Sequence, residues 1–343
     1  MAAFPLPLDT APMEARLTDV LPTDEGWQFE PKWDGFRCLA FKDGGEVDLR
    51  AKSGKPLARY FPDVVERVRA MPGKRFVLDG ELVIVDDGEF SFEALQLRLH
   101  PAASRVAKLA AAQPAQLLLF DCLADARRTL TEKPLTERRA ALDKLYRANP
   151  CIRLSPYTRE LRTARAWLKR SGRALDGVIA KRLDGPYVEG ERAMLKVKRL
   201  RTADCVVGGF RYASGSKLVG SLLLGLYDEE GLLHHVGFTS AIANADREAL
   251  TKRVQALAAG PGFTGRAPGG PSRWSTERSA EWTPLKPKLV VEVRYDHVTD
   301  DRFRHGVSIM RWRPDKKPSQ CTFHQLKPPA PPMEVQTLLR SAR

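Results

Sequence analysis

Residues 30–37, "EPKWDGFR", decide how the rest of the sequence is interpreted. The Asp-Gly pair at Asp34 is a turn signal, so on structure alone the stretch is a hairpin with exposed basic side chains. A free lysine has a pKa near ~10.4 and is a weak nucleophile, unless burial or neighbouring cations lower that pKa. Trp33 and Phe36 would supply such burial. The second interpretation is therefore that Lys32 forms a covalent bond with its substrate.

Length and charge narrow the class of protein. The chain has 343 residues, enough for about two domains of roughly 150 residues each. It carries 56 Lys and Arg against 42 Asp and Glu, a formal net charge of +14. This charge favours polyanionic partners, with nucleic acid first and an anionic membrane surface second. The alternative is that the basic residues only keep the protein surface solvated. Motifs must decide between these possibilities.

The cysteines, the histidines and the N-terminus argue against several other classes. No CxxC pair is present, and the histidines do not have metal-ligand spacing, so we expect neither structural zinc nor disulfides. The first residues lack a basic start followed by an apolar block, and no apolar run is long enough to span a bilayer. We therefore expect a cytoplasmic protein with no membrane segment. The five cysteines are Cys38, Cys122, Cys151, Cys205 and Cys321.

The sequence up to residue 201 alternates strand and helix patterns, which predicts one α+β domain after an extended lead-in of thirty residues. Short β-rich runs end at Gly or Asp-Gly turns and predict antiparallel hairpins. The predicted strands lie in 37–44, 46–54, 75–90 and 115–123, with a strand pair in 174–202. The predicted helices lie in 61–74, 91–112, 135–149 and 160–172.

After residue 201 the pattern changes to short, regularly spaced strands with one helix near 244–258, which predicts a small β-barrel. A Gly, Pro, Arg and Ser-rich loop covers 260–279, and "KPPAPP" at 327–332 precedes a last short helix. We predict domains at 1–201 and 202–328, and a tail at 329–343.

The stretch "KWDGFR" resembles the Lys-x-Asp-Gly-x-Arg signature of ATP-dependent DNA ligases, RNA ligases and mRNA capping enzymes. Further motifs of this superfamily follow in the expected order over most of the chain. They are "AKSGKPLARYFP" (51–62), "FVLDGELV" (76–83), "LLLFDCL" (117–123), "DGVIAKR" (176–182), "LKVKR" (195–199), "WTPLKPKLVVEVRY" (282–295) and "RWRPDKKP" (311–318). The last two favour DNA ligases, and the sequence resembles the short bacterial ATP-dependent ligases, both stand-alone enzymes and the ligase module of end-joining enzymes.

The resemblance implies an α+β nucleotidyltransferase domain with ATP-grasp-like antiparallel sheets and helices, followed by a small OB-fold β-barrel. It also implies nick sealing in duplex DNA, with a role in DNA repair, in three steps. Lys32 takes AMP from ATP, the AMP moves to the 5′-phosphate of a nick, and the 3′-hydroxyl displaces it. An RNA ligase or a capping-type guanylyltransferase is the alternative enzyme, and a non-catalytic nucleic-acid-binding module is the alternative of another class.

By the same resemblance, Lys196 and Lys198 would neutralise the α-phosphate, while Glu81 and Asp176 would hold Mg²⁺ or Mn²⁺. The family normally has glutamate at the position of Asp176. Because aspartate is one methylene shorter, we expect a water-bridged contact with the metal there.

The remaining site residues are assigned one role each by the resemblance. Glu30 would accept the adenine amino group, Phe120 would stack on adenine, and Arg37 would hold ribose or the nick phosphate. Asp34 would orient Lys32 or waters on the metal. Lys52 stands where the second motif has arginine. Arg313, Asp315 and Lys316 would orient pyrophosphate in the first step.

The expected partner is nicked duplex DNA, together with a DNA end-joining or repair factor, and the expected state is a monomer associated with the bacterial nucleoid. The loop at 260–279 would place Arg266, Arg273 and Arg278 along DNA phosphates, or would be a disordered surface loop.

Overall fold

The structure, a computed structural model, describes residues 4–86, 88–147, 149–170, 175–269, 281–296, 298–327 and 335–340. The chain divides into two compact units. The first unit contains residues 1–199 and 330–343, and the second unit contains residues 200–329.

Strands and helices have the following bounds. The strands are β1 (Ala15–Leu17), β2 (Trp27–Trp33), β3 (Phe36–Asp43), β4 (Glu46–Ala51), β5 (Arg75–Asp86), β6 (Glu89–Phe90), β7 (Ala115–Ala124), β8 (Ile152–Leu154), β9 (Leu175–Arg182), β10 (Met194–Val197), β11 (Arg201–Tyr212), β12 (Val219–Tyr227), β13 (Leu233–Thr239), β14 (Thr283–Pro284), β15 (Val290–Tyr295), β16 (Val298–Thr299), β17 (Arg302–Phe303) and β18 (Ser308–Trp312). The helices are α1 (Pro62–Ala70), α2 (Phe92–Arg98), α3 (Ala103–Ala112), α4 (Leu135–Leu145), α5 (Leu161–Lys169), α6 (Arg247–Gln255) and α7 (Val335–Arg340). Among these described elements no helix is both long and apolar enough to cross a membrane.

The first unit contains two sheets, whose strands carry most of the motifs quoted before residue 200. The smaller sheet has the order β1-β10-β9-β2, and the larger has the order β4-β3-β5-β7-β8, with β6 paired to β5. Most neighbouring strands are antiparallel, as the hairpin signals predict, but β1 pairs with β10 and β7 with β8 in parallel. The mixed α+β class is confirmed.

The two faces of strand β5 differ in polarity. Phe76, Leu78, Leu82 and Ile84 pack with helices α1, α2 and α4 in one hydrophobic cluster. Because side chains alternate along a strand, the residues between them point to the opposite face. That face carries Val77, Asp79, Glu81 and Val83, so it combines apolar ends with two central carboxylates.

The sequence prediction of one helix over residues 91–112 is wrong. The structure has two helices, α2 and α3, with Pro101 between them. Proline lacks a backbone N–H and restricts the residue before it, so the first helix ends ahead of Pro101. Ser91 is the N-cap of α2, and its Oγ accepts a hydrogen bond from the backbone N–H of Ala94 at 3.1 Å.

The lead-in and the terminal helix are both parts of the first unit. Near the N-terminus, Phe4 and Met13 pack in a cluster with Tyr187. In α7, Leu338 is fully buried in the cluster that contains Trp33. The two chain ends therefore contribute to the core of the unit that carries Lys32.

The second unit is built on a sheet with the order β13-β12-β11-β15-β18, with β14 paired to β11. In the described part of the chain this sheet is not a closed barrel, since its end strands β13 and β18 do not pair with each other. Instead, Phe303 from the β16-β17 hairpin packs on Gly237 of β13, so a side chain covers this strand where a closed barrel would continue the ladder. The predicted helix near 244–258 is confirmed as α6.

A buried histidine predicts acid sensitivity of the second unit. His235 is 5% exposed, and its Nδ1 lies 2.9 Å from an Arg302 nitrogen. Burial, together with the charges of Arg302, Arg211 and Arg266, lowers the pKa of His235 to about 3. Between pH 6.5 and 3 only the unfolded state takes up the proton, so stability falls as pH decreases, by about 2 kcal/mol from this group at pH 5.

We expect His235→Phe to reduce the slope of unfolding free energy against pH between 4 and 6.5, measured by urea titration. The exposed His324, changed to Gln, is the matched control and should leave the slope unchanged. An equal slope in wild type and His235→Phe would contradict the assignment.

Candidate active site

Three neighbouring strands bring the predicted nucleophile and its charged partners together. Lys32 lies on β2 opposite Gly177 of β9, and β9 pairs with β10, which carries Lys196. The amine of Lys32 contacts the Asp176 carboxylate, and Lys198 Nζ lies 3.1 Å from the same oxygen. Burial lowers the pKa of Lys196, and the charges of Lys32 and Lys198 lower it further. These amines form a compact cationic site that is suited to an anion such as phosphate.

The two aromatic residues beside Lys32 have structural roles. Trp33 packs in the apolar cluster shared with α5 and α7, and its Nε1 donates a hydrogen bond to Ser155 Oγ at 2.9 Å. Phe36 packs against the cluster beneath α1 and α2. Lys32 precedes Trp33 on β2, so its side chain points to the opposite face of the strand, where 23% of it is exposed. The rings fix the strands that hold the amine, whereas the sequence predicted that they would bury it.

Two motif glycines are required by close backbone approach. A Cβ at Gly35 would lie 2.2 Å from the carbonyl oxygen of Leu82 and 2.9 Å from Cγ of Glu81. A Cβ at Gly177 would lie 2.2 Å from the carbonyl oxygen of Val197, and its φ of +148° is unfavourable for other residues. Both glycines thus allow a strand with a charged site residue to pack closely against its neighbour.

Replacing Gly177 with alanine should therefore separate β9 from β10. We expect a loss of about 2 to 4 kcal/mol in unfolding free energy, because strain and overpacking combine at this position. Urea unfolding measures the loss. Gly45→Ala is the matched control, since a Cβ there meets nothing within 4 Å. Equal stability of the two variants would contradict the prediction.

The larger sheet contributes Arg37, Asp79, Glu81 and Phe120 on one face. Arg37 donates two hydrogen bonds to the fully buried Asp79, at 2.6 and 2.5 Å. Its guanidinium lies 4.7 Å from the Phe120 ring centroid. Burial opposes the charge of Arg37, but Asp79 raises its pKa above the ordinary value. Asp79 is thus a site residue that the sequence assignment missed, although it lies two positions before Glu81 on the same face of β5.

Hydrogen bonds through Tyr187 link Asp79 to the N-terminal segment. The Tyr187 hydroxyl donates to Asp79 at 2.6 Å and accepts from the backbone N–H of Met13 at 3.0 Å. The Met13 carbonyl in turn accepts from Arg37 at 3.2 Å. This closed network was not predicted, because the first thirty residues were interpreted as a lead-in.

Glu81 is the carboxylate with the most perturbed titration in the site. Burial raises its pKa to about 7, against the opposing charges of Arg37 and Lys32. Asp34 lies in the turn between β2 and β3, and its charge also raises the pKa of Glu81. A cation near Glu81 would favour its ionised form.

Glu30 and Phe120 share one cationic neighbour, Lys181. Glu30 is buried, accepts a hydrogen bond from Gln28 Nε2 at 2.8 Å and forms an ion pair with Lys181 at 2.7 Å. Lys181 Nζ also lies 4.5 Å from the centroid of the Phe120 ring. Lys181 and Gln28 carried no sequence signal that separated them from other strand residues. The adenine contacts assigned to Glu30 and Phe120 stay predictions.

Lys52 lies just beyond β4 and is mostly exposed. Its Nζ lies 2.9 Å from Glu14, and this hydrogen bond lowers the pKa of the Glu14 carboxyl. Glu14 immediately precedes β1, so the lead-in segment again supplies a partner for a motif residue.

The last motif lies in the second unit, where its charged residues surround one carboxylate. Arg313 lies 3.0 Å from Asp204 and 2.8 Å from Asp315, and Lys316 lies 2.5 Å from Asp204. The hydrogen bond from Arg313 lowers the pKa of Asp315 to about 2. Asp204 was not identified from the sequence.

The basic loop is only partly within the described residues. The backbone N–H of Arg266 donates to His234 Nδ1 at 3.1 Å, and its side chain donates to the carbonyl of Asp300 at 3.3 Å. Arg273 and Arg278 lie outside the described residues. The contact between this loop and DNA stays a prediction.

Comparisons with known proteins agree with the motif series. The family model "ATP dependent DNA ligase domain" matches residues 12–198, and "ATP dependent DNA ligase C terminal region" matches residues 215–316. DNA ligase C2 of Mycolicibacterium smegmatis is 46% identical, over 93% of this chain and 94% of that protein. DNA ligase C of Mycobacterium tuberculosis is 42% identical, over 95% of this chain and 96% of that protein.

A solved structure supports the fold independently. A Lig E DNA ligase, described as binding DNA with a minimal scaffold, superimposes with a TM-score of 0.58 at 18% identity, covering 88% of this chain and 99% of that one. The nucleotidyltransferase and OB-fold classes predicted for the chain are thus confirmed. This chain belongs to the family of ATP-dependent DNA ligases, which use ATP and a divalent metal ion.

Proposed function

We propose that this ATP-dependent DNA ligase seals nicks in duplex DNA, with Lys32 as the residue that carries AMP. The observation that supports this most directly is the position of the Lys32 amine at the Asp176 carboxylate, with Lys198 on the same oxygen and Lys196 close by. A nucleophilic amine next to other amines matches attack on a phosphate, because the cations neutralise the oxygens as the new bond forms.

In the first step the deprotonated Lys32 amine attacks the α-phosphate of ATP in line with the leaving pyrophosphate. Lys196 and Lys198 stabilise the charge on the α-phosphate oxygens. Glu30 and Phe120 hold the adenine, and Arg37 holds the ribose or, later, the nick phosphate. Lys52 adds an exposed positive charge next to Glu14. The AMP then passes to the 5′-phosphate of DNA, and the 3′-hydroxyl displaces it.

The carboxylates fit a divalent cation. The described residues contain no group of three or more His, Cys, Asp or Glu side chains that would hold a metal alone, so phosphate oxygens and water would complete its coordination. Glu81 would be the main ligand, since burial raises its pKa and a cation would favour the ionised form. Asp176 already accepts two lysines, which favours a water-bridged contact, and Asp34 would orient metal-bound waters. The cation would supply charge neutralisation at phosphate.

We further propose that residues 1–201 act as the adenylation domain and residues 202–328 as an OB-fold domain that binds DNA. Arg313, Asp315 and Lys316 of the latter would orient pyrophosphate. A multifunctional non-homologous end joining protein, LigD of Mycobacterium bovis, is 32% identical over 86% of this chain, which covers 37% of that protein. This relative supports recruitment by a DNA end-joining factor. We place the enzyme at the bacterial nucleoid because its proposed substrate, nicked DNA, is there. We expect a monomer.

The test is a pair of assays on the purified chain after pyrophosphate has removed any bound AMP. The first measures label retained on denatured protein after incubation with α-labelled ATP or GTP and Mg²⁺ or Mn²⁺. The second measures sealing of nicked DNA and nicked RNA. We expect an ATP-specific adduct and DNA sealing. A GTP adduct would support a guanylyltransferase, preferred sealing of RNA would support an RNA ligase, and no adduct would support a binding module.

A further inference from the structure

Asp204 is the carboxylate around which the charged residues of the last motif are arranged. Its two oxygens lie 3.0 and 3.2 Å from Arg313 Nη1, and one of them lies 2.5 Å from Lys316 Nζ. Asp204 is 109 residues before Arg313 in the sequence, and none of the motifs quoted above contains it. One buried side chain thus holds two cations that are three positions apart on a turn.

The backbone of Asp204 is fixed separately from its side chain. Its N–H donates to Gln325 Oε1 at 2.9 Å, and its carbonyl accepts from Gln325 Nε2 at 3.1 Å. Asp204 also lies opposite Glu292 in the pairing of β11 with β15. The carboxylate therefore projects from a hydrogen-bonded strand, β11, towards the turn that carries Arg313 and Lys316.

Asp315 also contacts Arg313, at 2.8 Å, but Asp204 is the carboxylate that bridges Arg313 and Lys316. Without Asp204, the ammonium of Lys316 and the guanidinium of Arg313 would repel each other and separate. The side chains are only about a fifth exposed, so solvent screens this repulsion less than it would at a free surface. With Asp204 present, both cations are held on one side of the turn at a fixed spacing. Both side chains can then bind a second anion without having to be ordered first, which reduces the entropic cost of binding that anion.

We propose that Asp204 is a positioning residue for the first step, which presents Arg313 and Lys316 as a preformed pair to the pyrophosphate group of ATP. This role rests on the proposed function of these two residues. Asp204 itself does not touch the substrate, and it should have no part in the later steps, in which pyrophosphate is absent.

The test separates the first step from the later ones in Asp204→Asn. Transfer of labelled AMP from ATP to protein should fall about 10- to 100-fold, because a charge-assisted interaction with each cation is lost. Joining of a nick that already carries AMP on its 5′-phosphate should change less than about threefold. Asp204→Glu should restore part of the adduct rate, since it returns the negative charge. The KM for ATP should rise when the pair is no longer ordered in advance.

Asp228→Asn is the matched control, because Asp228 is a carboxylate of the same unit that pairs with His234, at 2.6 Å, rather than with Arg313 or Lys316. Its adduct rate should stay within about threefold of wild type. Equal loss of both steps in Asp204→Asn, an unchanged adduct rate, or a faster one would overturn the proposal. Absence of an adduct in wild type would overturn the proposed function and the role of Asp204 with it, whereas the other outcomes overturn only the role of Asp204.

Discussion

Replacing Lys32 with arginine will reduce the AMP retained on denatured protein to background, at least about a thousandfold below wild type. Arginine keeps the positive charge beside Asp176, but its guanidinium stays protonated and is not a nucleophile. The fold should therefore persist while the covalent step is lost. Label from α-labelled ATP, counted after denaturation, measures the effect.

The same variant should still join a nick that is supplied with AMP already on its 5′-phosphate, because that reaction starts after the step that needs the amine. Lys42→Arg is the control for a buried lysine elsewhere in the first unit. Lys42 is 4% exposed and donates to the Met71 carbonyl, and burial lowers its pKa, yet it should not take AMP. Retention of label by Lys32→Arg, or its loss in Lys42→Arg, would contradict the assignment of Lys32.

The second large effect concerns the pair of Arg37 and Asp79. Changing Asp79 to Asn removes the buried charge that two Arg37 nitrogens contact, and leaves the partly buried guanidinium without its counterion. Breaking such a pair costs about 3 to 5 kcal/mol, a large part of the 5 to 15 kcal/mol that stabilises a typical domain. Urea unfolding at an unchanged m-value measures the loss. Nick sealing should also fall, because Arg37 is no longer held over Phe120.

Asp121→Asn is the matched control for the loss of a buried ion pair. Asp121 and Arg138 are each 1% exposed and form the same kind of two-point contact. This variant should lose a similar amount of stability, while its activity per folded molecule stays higher than that of Asp79→Asn. A change of less than about 1 kcal/mol in Asp79→Asn would mean that Arg37 finds another partner, and would contradict the prediction.

Much of the site could be predicted because strands repeat every second residue. The β-rich run in 75–90, which ends at turn residues, predicts a strand, and the alternation of side chains along any strand puts Asp79 and Glu81 on one face. The glycines at 35 and 177 occupy motif positions where the structure has no space for a Cβ. Local patterns thus predicted most of the elements that form around the site.

Partners distant in the sequence could not be predicted in this way. Tyr187 and Met13, which share a hydrogen bond, are 174 residues apart, and Lys32 and Asp176 are 144 residues apart. Such contacts depend on which strands become neighbours and in which register they pair. No local preference of the residues encodes that choice, because many pairings would bury a similar apolar area.

The sequence by itself therefore determined the family, the motif order and the residue types of the reaction, since phosphate chemistry requires amines and carboxylates at definite spacings. It also determined most strands and helices through their hydrophobic period. Only the tertiary structure decided that the N-terminal segment joins the site, that Asp79 holds Arg37, and that Asp204 holds Arg313 with Lys316. These contacts exist because buried charges must find counterions, and the packing of distant strands selects which ones lie within reach.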